Sequence, residues 1–220
     1  MTKSPAVAYV APFLVFIGIM AAERAAGTAS ELALAVRSLA VLVTILLVSR
    51  PVLSIRLASP VASVALGAAV FLIWIGPDIL FPYRHYWLFE NAVTGIAQSS
   101  LAPALRHDTP FLLLRVTSSM LLVPVLEELF WRGWLMRWLI QHDWMNVPLG
   151  TYAASSVWIV ALLFASEHGP YWEVGLIAGV LYNWWMVRTR SLSDCIVAHS
   201  VTNALLAAYV IARGQWQYWL

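Results

Sequence analysis

The chain has 220 residues, of which 61% are hydrophobic and only 11% are charged. A soluble domain is typically about half apolar and about one quarter charged, so this composition excludes an ordinary soluble domain and indicates an integral membrane protein. The net charge of +2 and the lack of a long run of like charges give no support to a nucleic-acid-binding function.

The tryptophan and cysteine contents agree with a membrane protein. Twelve tryptophans are present, and tryptophan is enriched at membrane–water interfaces. The single cysteine, Cys195, cannot form an internal disulfide, and it excludes a cysteine-rich zinc site. We expect one integral membrane domain, residues 1–220, because the predicted spans leave no room for a soluble domain.

Apolar segments follow one another along the chain, with lengths near the roughly 17–25 residues that a transmembrane helix needs. The first run is longer than the apolar region of a signal peptide, about 7–15 residues, and is therefore interpreted as a span. Long runs without strict alternation favour helices, so the predicted fold class is all-α, a polytopic membrane helix bundle of about seven to eight transmembrane helices. The predicted spans are residues 5–22, 32–48, 60–75, 109–140, 147–164, 173–187 and 193–212.

The segment between the third and fourth spans, residues 78–108, has a different composition. Aromatic, charged and proline residues are mixed there. This pattern predicts an interfacial or loop segment with room for one helix lying at the membrane surface.

The fourth span contains two adjacent acids and a base in the stretch LVPVLEELFWRGWL, residues 122–135. A charge near the bilayer centre costs at least about 2.5–3.5 kcal/mol on insertion scales, which makes such residues candidates for function. Glu128 and Arg132 are four residues apart and can pair on one helix face. Glu127 points about 100° away from Glu128, which leaves it free to act as a general base. Pro124 is expected to loosen the helix and free carbonyl groups.

Two later segments also place polar side chains inside the spans. His199 and Asn203 share one face of the last span, where both can donate hydrogen bonds to one oxygen, as in an oxyanion site. His168 ends the fifth span, just before the Gly-Pro pair 169–170. If every span crosses the membrane completely, His168 and His199 are too far apart to meet. A common site therefore requires the fifth or sixth span to be short, tilted or broken.

Five other polar residues are less directly interpretable. Asn183 is expected to take part in helix packing and Asp194 to cap the last span. Cys195 lies one turn before His199, which permits a Cys–His nucleophile, although a buried free cysteine is usually inert. The roles of Arg115 and Glu167 stay open.

Three motifs occur in order on separate late helices. They are Glu-Glu-x-x-x-Arg in EELFWR at 127, 128 and 132, Phe-x-x-x-His in FASEH at 164 and 168, and His-x-x-x-Asn in HSVTN at 199 and 203. Together they resemble the CAAX-protease and bacteriocin-processing family of intramembrane glutamic endopeptidases, which includes the Rce-type enzymes. The resemblance covers residues 110–212, interpreted as the catalytic helices. The stretch GVLYNWWMVRTRSLSDCIVAHSVTN, residues 179–203, is similar to CAAX-protease-related proteins associated with exosortases in bacteria.

The resemblance implies a catalytic role for six residues. Glu127 and His168 would activate a water, and His199 and Asn203 would hold the oxyanion. Glu128 and Arg132 would form a supporting ion pair. The family implies a hydrolase that needs no cofactor or metal and acts on a membrane-embedded or C-terminal-tail peptide. It also implies a multi-pass protein of the bacterial inner membrane, and the similarity of residues 179–203 implies an exosortase-system partner. The low net charge predicts no nucleic-acid partner.

Two alternatives remain open at this point. A zinc-dependent membrane protease could use the same glutamate and histidines, although the sequence has no His-Glu-x-x-His motif. A non-catalytic membrane protein, such as an immunity factor or a partner of a sorting system, is the second. A transporter would more often show two similar halves, and no internal repeat is evident.

Overall fold

The computed structural model describes residues 5–27, 30–81, 83–99 and 101–219. The protein is mostly helical, and these ranges contain no β-strand. The helices are α1 (Val7–Ala26), α2 (Glu31–Thr44, continued by a π-helical turn at Ile45–Ser49), α3 (Pro60–Leu80), α4 (Thr109–Trp138), α5 (Ala154–Ser166), α6 (Trp172–Thr189) and α7 (Leu192–Arg213).

Each predicted span corresponds to one of these helices. In the described part of the chain, five helices are long and apolar enough to cross a membrane, namely α1, α2, α3, α4 and α7. The apolar helix α5 is shorter, with 13 residues, and α6 has 18 residues. The all-α membrane bundle is therefore confirmed.

Helix α5 begins later than the sequence predicts. Residues 147–153 form a connection in which Gly150 has a φ of +74°, a left-handed conformation that glycine adopts readily. Pro148, in the same connection, has no backbone N–H to donate to a helix. At its other end α5 stops at Ser166, before a short 3₁₀ turn at Gly169–Tyr171. The fifth span is consequently short.

The segment between the third and fourth spans is a loop, one of its two predicted forms, and its described residues contain no α-helix lying between those spans. Residues 83–99 form turns, and a single short 3₁₀ helix follows at Pro103–His107. The Asn91 side chain accepts hydrogen bonds from the backbone N–H groups of Val93 and Thr94, at 2.8 and 3.1 Å. Such local bonds compete with helix formation.

Helices α3 and α7 pack closely, and Asp194 joins them. The prediction that Asp194 caps α7 is wrong, because Ser191 caps that helix by accepting from Asp194 N at 3.3 Å. The Asp194 carboxylate instead accepts from the N–H groups of Ala58 and Ser59, at 2.7 and 2.8 Å. These groups precede α3, where backbone donors lack partners within the helix. Asp194 thus fastens the start of α3 to α7.

Helix α4 contains two π-helical turns, on either side of the paired glutamates. They span Ser118–Leu122 and Leu129–Leu135, and Val123–Glu128 between them is α-helical. In the first π turn, Ser118 O accepts from Val123 N. The same register would pair Ser119 O with residue 124, which is proline and has no N–H. The expectation that Pro124 frees a carbonyl is therefore confirmed at Ser119.

Candidate active site

One cavity of about 190 Å³ brings together four of the six predicted site residues. They are Glu127 from α4, His168 from the end of α5, and His199 and Asn203 from α7. Its other walls include Trp74, Phe164, Tyr182, Thr202 and Trp219. Polar groups thus converge in a largely apolar cleft, the arrangement expected of a binding or catalytic site.

The His199 ring lies between the two glutamates. Its Nδ1 is 2.9 Å from Glu128 Oε1, and its Nε2 is 3.9 Å from Glu127 Oε2. A carboxylate only accepts hydrogen bonds, so Nδ1 carries the proton that is donated to Glu128. Nε2 therefore faces Glu127 and the cavity.

Glu128 and Arg132 form a fully buried ion pair behind the cavity, with Nη1 3.0 Å from Oε1. The remaining donors of Arg132 are also used, because Nε donates to Asn183 Oδ1 at 2.9 Å and Nη2 donates to Gly179 O at 3.3 Å. Asn183 therefore does serve helix packing, as predicted. The guanidinium compensates the Glu128 charge, and neither residue lines the cavity.

Glu127 has a different environment from its neighbour. Its side chain is 14% exposed, whereas that of Glu128 is fully buried, and its Oε2, like Glu128 Oε2, has no hydrogen-bond partner among the described residues. A buried acid without a partner is costly to maintain. Glu127 thus presents an acceptor oxygen to the cavity, whereas Glu128 is held by Arg132 and His199.

His168 reaches the cavity because α5 is short. Its Nδ1 is 2.7 Å from Phe164 O, so that nitrogen donates its proton to the carbonyl and Nε2 keeps a free lone pair. The ring packs edge-on against Trp74 and also contacts the Phe164 ring. The distance problem between His168 and His199 is resolved by the late start and short length of α5 rather than by a break within a long helix.

The turn that follows His168 is held by Arg84, which the sequence did not identify. The buried Arg84 guanidinium donates to Pro170 O and lies 4.1 Å over the Tyr171 ring. It also pairs with Asp78 at 2.6 Å and with Glu173 at 2.7 Å. Burial, together with the hydrogen bond to Glu173, raises the pKa of the adjacent Tyr83 above its ordinary value. No spacing pattern links residue 84 to residues 168–173, so sequence reasoning had no signal for this contact.

Asn203 and Tyr182 complete the α6–α7 side of the cavity. Asn203 Nδ2 donates to Ser119 O, the carbonyl freed by Pro124, at 2.8 Å. An amide nitrogen carries two protons, so a second one remains for a ligand. Tyr182 stacks on the His199 ring with a centroid distance of 5.1 Å, and its hydroxyl donates to Thr202 at 2.7 Å. These contacts fix the positions of both α7 residues.

The other polar residues that the sequence left open lie outside the cavity wall. Cys195 is fully buried, with Sγ 3.8 Å from Tyr182 O and from Met186 Sδ, which does not favour a Cys–His nucleophile. Glu167 is exposed beside the cavity and interacts electrostatically with Glu127. Arg115 lies over the Trp219 ring at 5.0 Å. No group of three or more His, Cys, Asp or Glu side chains in the described residues is arranged to hold a metal ion.

Comparison with known protein families finds a match to the family described as type II CAAX prenyl endopeptidase Rce1-like, over residues 109–205. That segment is Rce1-like. The family resemblance drawn from the three motifs is therefore confirmed for the part of the chain that carries them. The family indicates a peptidase that acts within the membrane. No curated protein and no solved structure matches the chain. The similarity to exosortase-associated proteins stays a prediction.

Proposed function

We propose that the protein is an intramembrane endopeptidase in which Glu127 and His168 activate a water molecule. The observation that carries the proposal is the convergence of Glu127, His168, His199 and Asn203, from α4, the end of α5 and α7, on one cavity. These are the residues that the three motifs single out, and the Rce1-like match covers all of them.

In the proposed reaction, the Glu127 carboxylate accepts a proton from the water while His168 Nε2 orients that water as a second acceptor. The water oxygen attacks the scissile carbonyl carbon. The protonated Glu127 then gives its proton to the leaving amine nitrogen as the C–N bond breaks. The products are a new carboxylate and a new amine, which balances hydrolysis of one peptide bond. A positioned side chain that moves a proton in this way is a general acid–base catalyst.

The negative charge on the attacked oxygen is held by α7 in this proposal. Asn203 donates its second Nδ2 proton, and His199 donates from Nε2 in its doubly protonated form. The Glu128 carboxylate, 2.9 Å from His199 Nδ1, accepts from that nitrogen and directs Nε2 toward the cavity. Preorganised donors aimed at a developing oxyanion are often a large part of enzymatic rate enhancement. The supporting role of Arg132 is to hold Glu128 in position through their ion pair.

The substrate class follows from the setting of the cavity. The cavity walls include the apolar side chains of Trp74, Val123, Leu206 and Trp219. The expected substrate is therefore a membrane-embedded or C-terminal-tail peptide. The similarity of residues 179–203 to exosortase-associated proteins supports a further proposal, that the protein works with an exosortase-system partner.

The direct test is cleavage of quenched hydrophobic peptides by the purified protein in detergent, with and without a metal chelator. We expect cleavage to persist in the chelator, because the proposed water is activated by side chains. Cys195→Ser tests whether the cysteine is the nucleophile, and this variant should leave cleavage unchanged. Loss of activity in chelator that is restored by added zinc would contradict the proposal and favour the zinc-dependent alternative.

The position of the His168 ring offers a subtler prediction. A methyl group at Gly175 of α6 would lie 3.1 Å from His168 Cγ and Nδ1, so Gly175→Ala forces the ring to move. We expect peptide turnover to fall about tenfold, since small misplacements of catalytic groups are costly. The free energy of unfolding should change by less than about 1 kcal/mol.

Gly18→Ala is the control for this variant, because a Cβ at Gly18 meets no described atom within 4 Å. It should turn over the peptide at the wild-type rate. Equal rates for both variants would show that the position of the His168 ring does not matter for turnover.

A further inference from the structure

A second cavity of about 360 Å³ lies at one end of the bundle, apart from the candidate active site. It is formed where α1 ends, where α2 and α4 begin, and by residues 101–105. Its apolar wall comprises Met20, Leu34, Leu101, Leu105 and Phe111. Its charged wall comprises Glu23, Arg24, Arg37 and Arg115. No part of the proposed peptidase mechanism uses this cavity.

The charges around this second cavity do not balance. Glu23 is the one acid among the described residues that line it, and it pairs with Arg37. Arg115 has an aromatic contact with Trp219 and lies close enough to Arg37 for the two positive charges to interact unfavourably. The Arg37 Nε is buried and has no hydrogen-bond partner in the described part of the chain. Among the described residues, Arg24 and Arg115 thus have no carboxylate partner, and Arg37 keeps one donor without an acceptor.

The arginines lie at a depth that suits a lipid headgroup. Arg37 and Arg115 each follow the first residue of their helix by six positions, which is about 9 Å along a helix axis. The polar layers of a bilayer add about 10–15 Å in total to a hydrocarbon core of about 30 Å. Long arginine side chains extend toward the interface from such positions. A phosphate at the headgroup level is therefore within their reach, and an acyl chain can follow the apolar wall.

We propose that the second cavity binds a phosphate group between Arg37 and Arg115, either as part of an anionic phospholipid or as free phosphate. Guanidinium groups recognise phosphate through paired, charge-assisted hydrogen bonds. The bound anion would use the free Nε of Arg37 and offset the mutual repulsion of the two arginines. Because Trp219 also lines the candidate active-site cavity, the phosphate site lies one side chain away from it.

The test is native mass spectrometry of the full-length protein in detergent, titrated with phosphatidylglycerol, phosphatidylcholine or inorganic phosphate. We expect wild-type protein to retain a phosphate-bearing anion and Arg115→Gln to bind it about tenfold more weakly, the usual size of a lost charged hydrogen bond. Arg24→Gln, at an exposed position on the cavity rim, should weaken binding without affecting folding.

Arg213→Gln is the matched control, because it removes an exposed arginine at the end of α7, outside the cavity. It should bind like the wild type. Retention of phosphatidylglycerol alone would identify a headgroup site, and retention of inorganic phosphate would identify a free-anion site. Equal binding by Arg115→Gln, Arg24→Gln and Arg213→Gln, or equal retention of phosphatidylcholine and phosphatidylglycerol without phosphate binding, would overturn the proposal.

Discussion

Glu127→Gln should abolish peptide cleavage while the protein still folds. The amide has nearly the same shape as the carboxylate, but it cannot accept the proton of the attacking water. We expect the turnover rate to fall about 10²–10⁴-fold, the usual contribution of a general base. The measurement is single-turnover cleavage of a quenched peptide in detergent. Substrate binding should change little, because the side chain keeps its size and its place at the cavity wall.

Glu31→Gln provides the control for Glu127→Gln. Glu31 is an exposed acid at the first residue of α2, so its loss removes the same charge far from the cavity. This variant should cleave the peptide at the wild-type rate. If Glu127→Gln also cleaved the peptide at the wild-type rate, Glu127 would not be the general base. If neither the wild type nor Glu127→Gln cleaved it, the non-catalytic alternative would gain most.

Arg132→Met should cause the largest loss of stability among single changes at the site. Glu128 and Arg132 are both fully buried, and removing one partner of such a pair leaves an uncompensated charge. That change typically costs about 3–5 kcal/mol. The substitution also removes the hydrogen bonds from Arg132 to Asn183 and to Gly179, which join α4 to α6. The measurement is the free energy of unfolding in mixed micelles.

The double variant Glu128→Leu/Arg132→Met separates stability from activity. With both charges removed, the free energy of unfolding should recover much of the loss seen in Arg132→Met, since replacing a buried pair by apolar groups is often nearly neutral. Peptide cleavage should not recover, because His199 then has no carboxylate at Nδ1. Arg188→Met, at an exposed position, is the control for losing an arginine. A loss in Arg132→Met no larger than in Arg188→Met would contradict the structural importance of the pair.

Helical periodicity was sufficient to predict the helices and the local pairs within each of them. The four-residue spacing of Glu128 and Arg132, and of His199 and Asn203, places each pair on one helix face. The contacts between helices were not predictable in the same way. The position of His168 depends on where α5 begins and ends. Its start is set by residues 147–153 and its end by the Gly169–Tyr171 turn, and hydropathy indicates neither.

The interactions that hold the site together were missed for a related reason. Arg84 contacts Pro170 and Glu173, which lie almost 90 residues later in the chain. From the sequence alone, an arginine between two spans is expected to be exposed in a loop. Asp194 was assigned to the nearest helix start, whereas its carboxylate serves α3. Long-range polar contacts leave no periodic signal, so their partners become visible only in three dimensions.

The shortness of α5 also affects the lipid around the protein. Its 13 residues extend about 20 Å, roughly 10 Å less than the hydrocarbon core of a typical bilayer. The outward side chains Trp158, Leu162 and Leu163 are apolar and exposed, so this flank faces the acyl chains with too little height to match them. A bilayer meets such a hydrophobic mismatch by thinning locally. Thinning of the membrane beside His168 would shorten the path of water and of a peptide to the cavity.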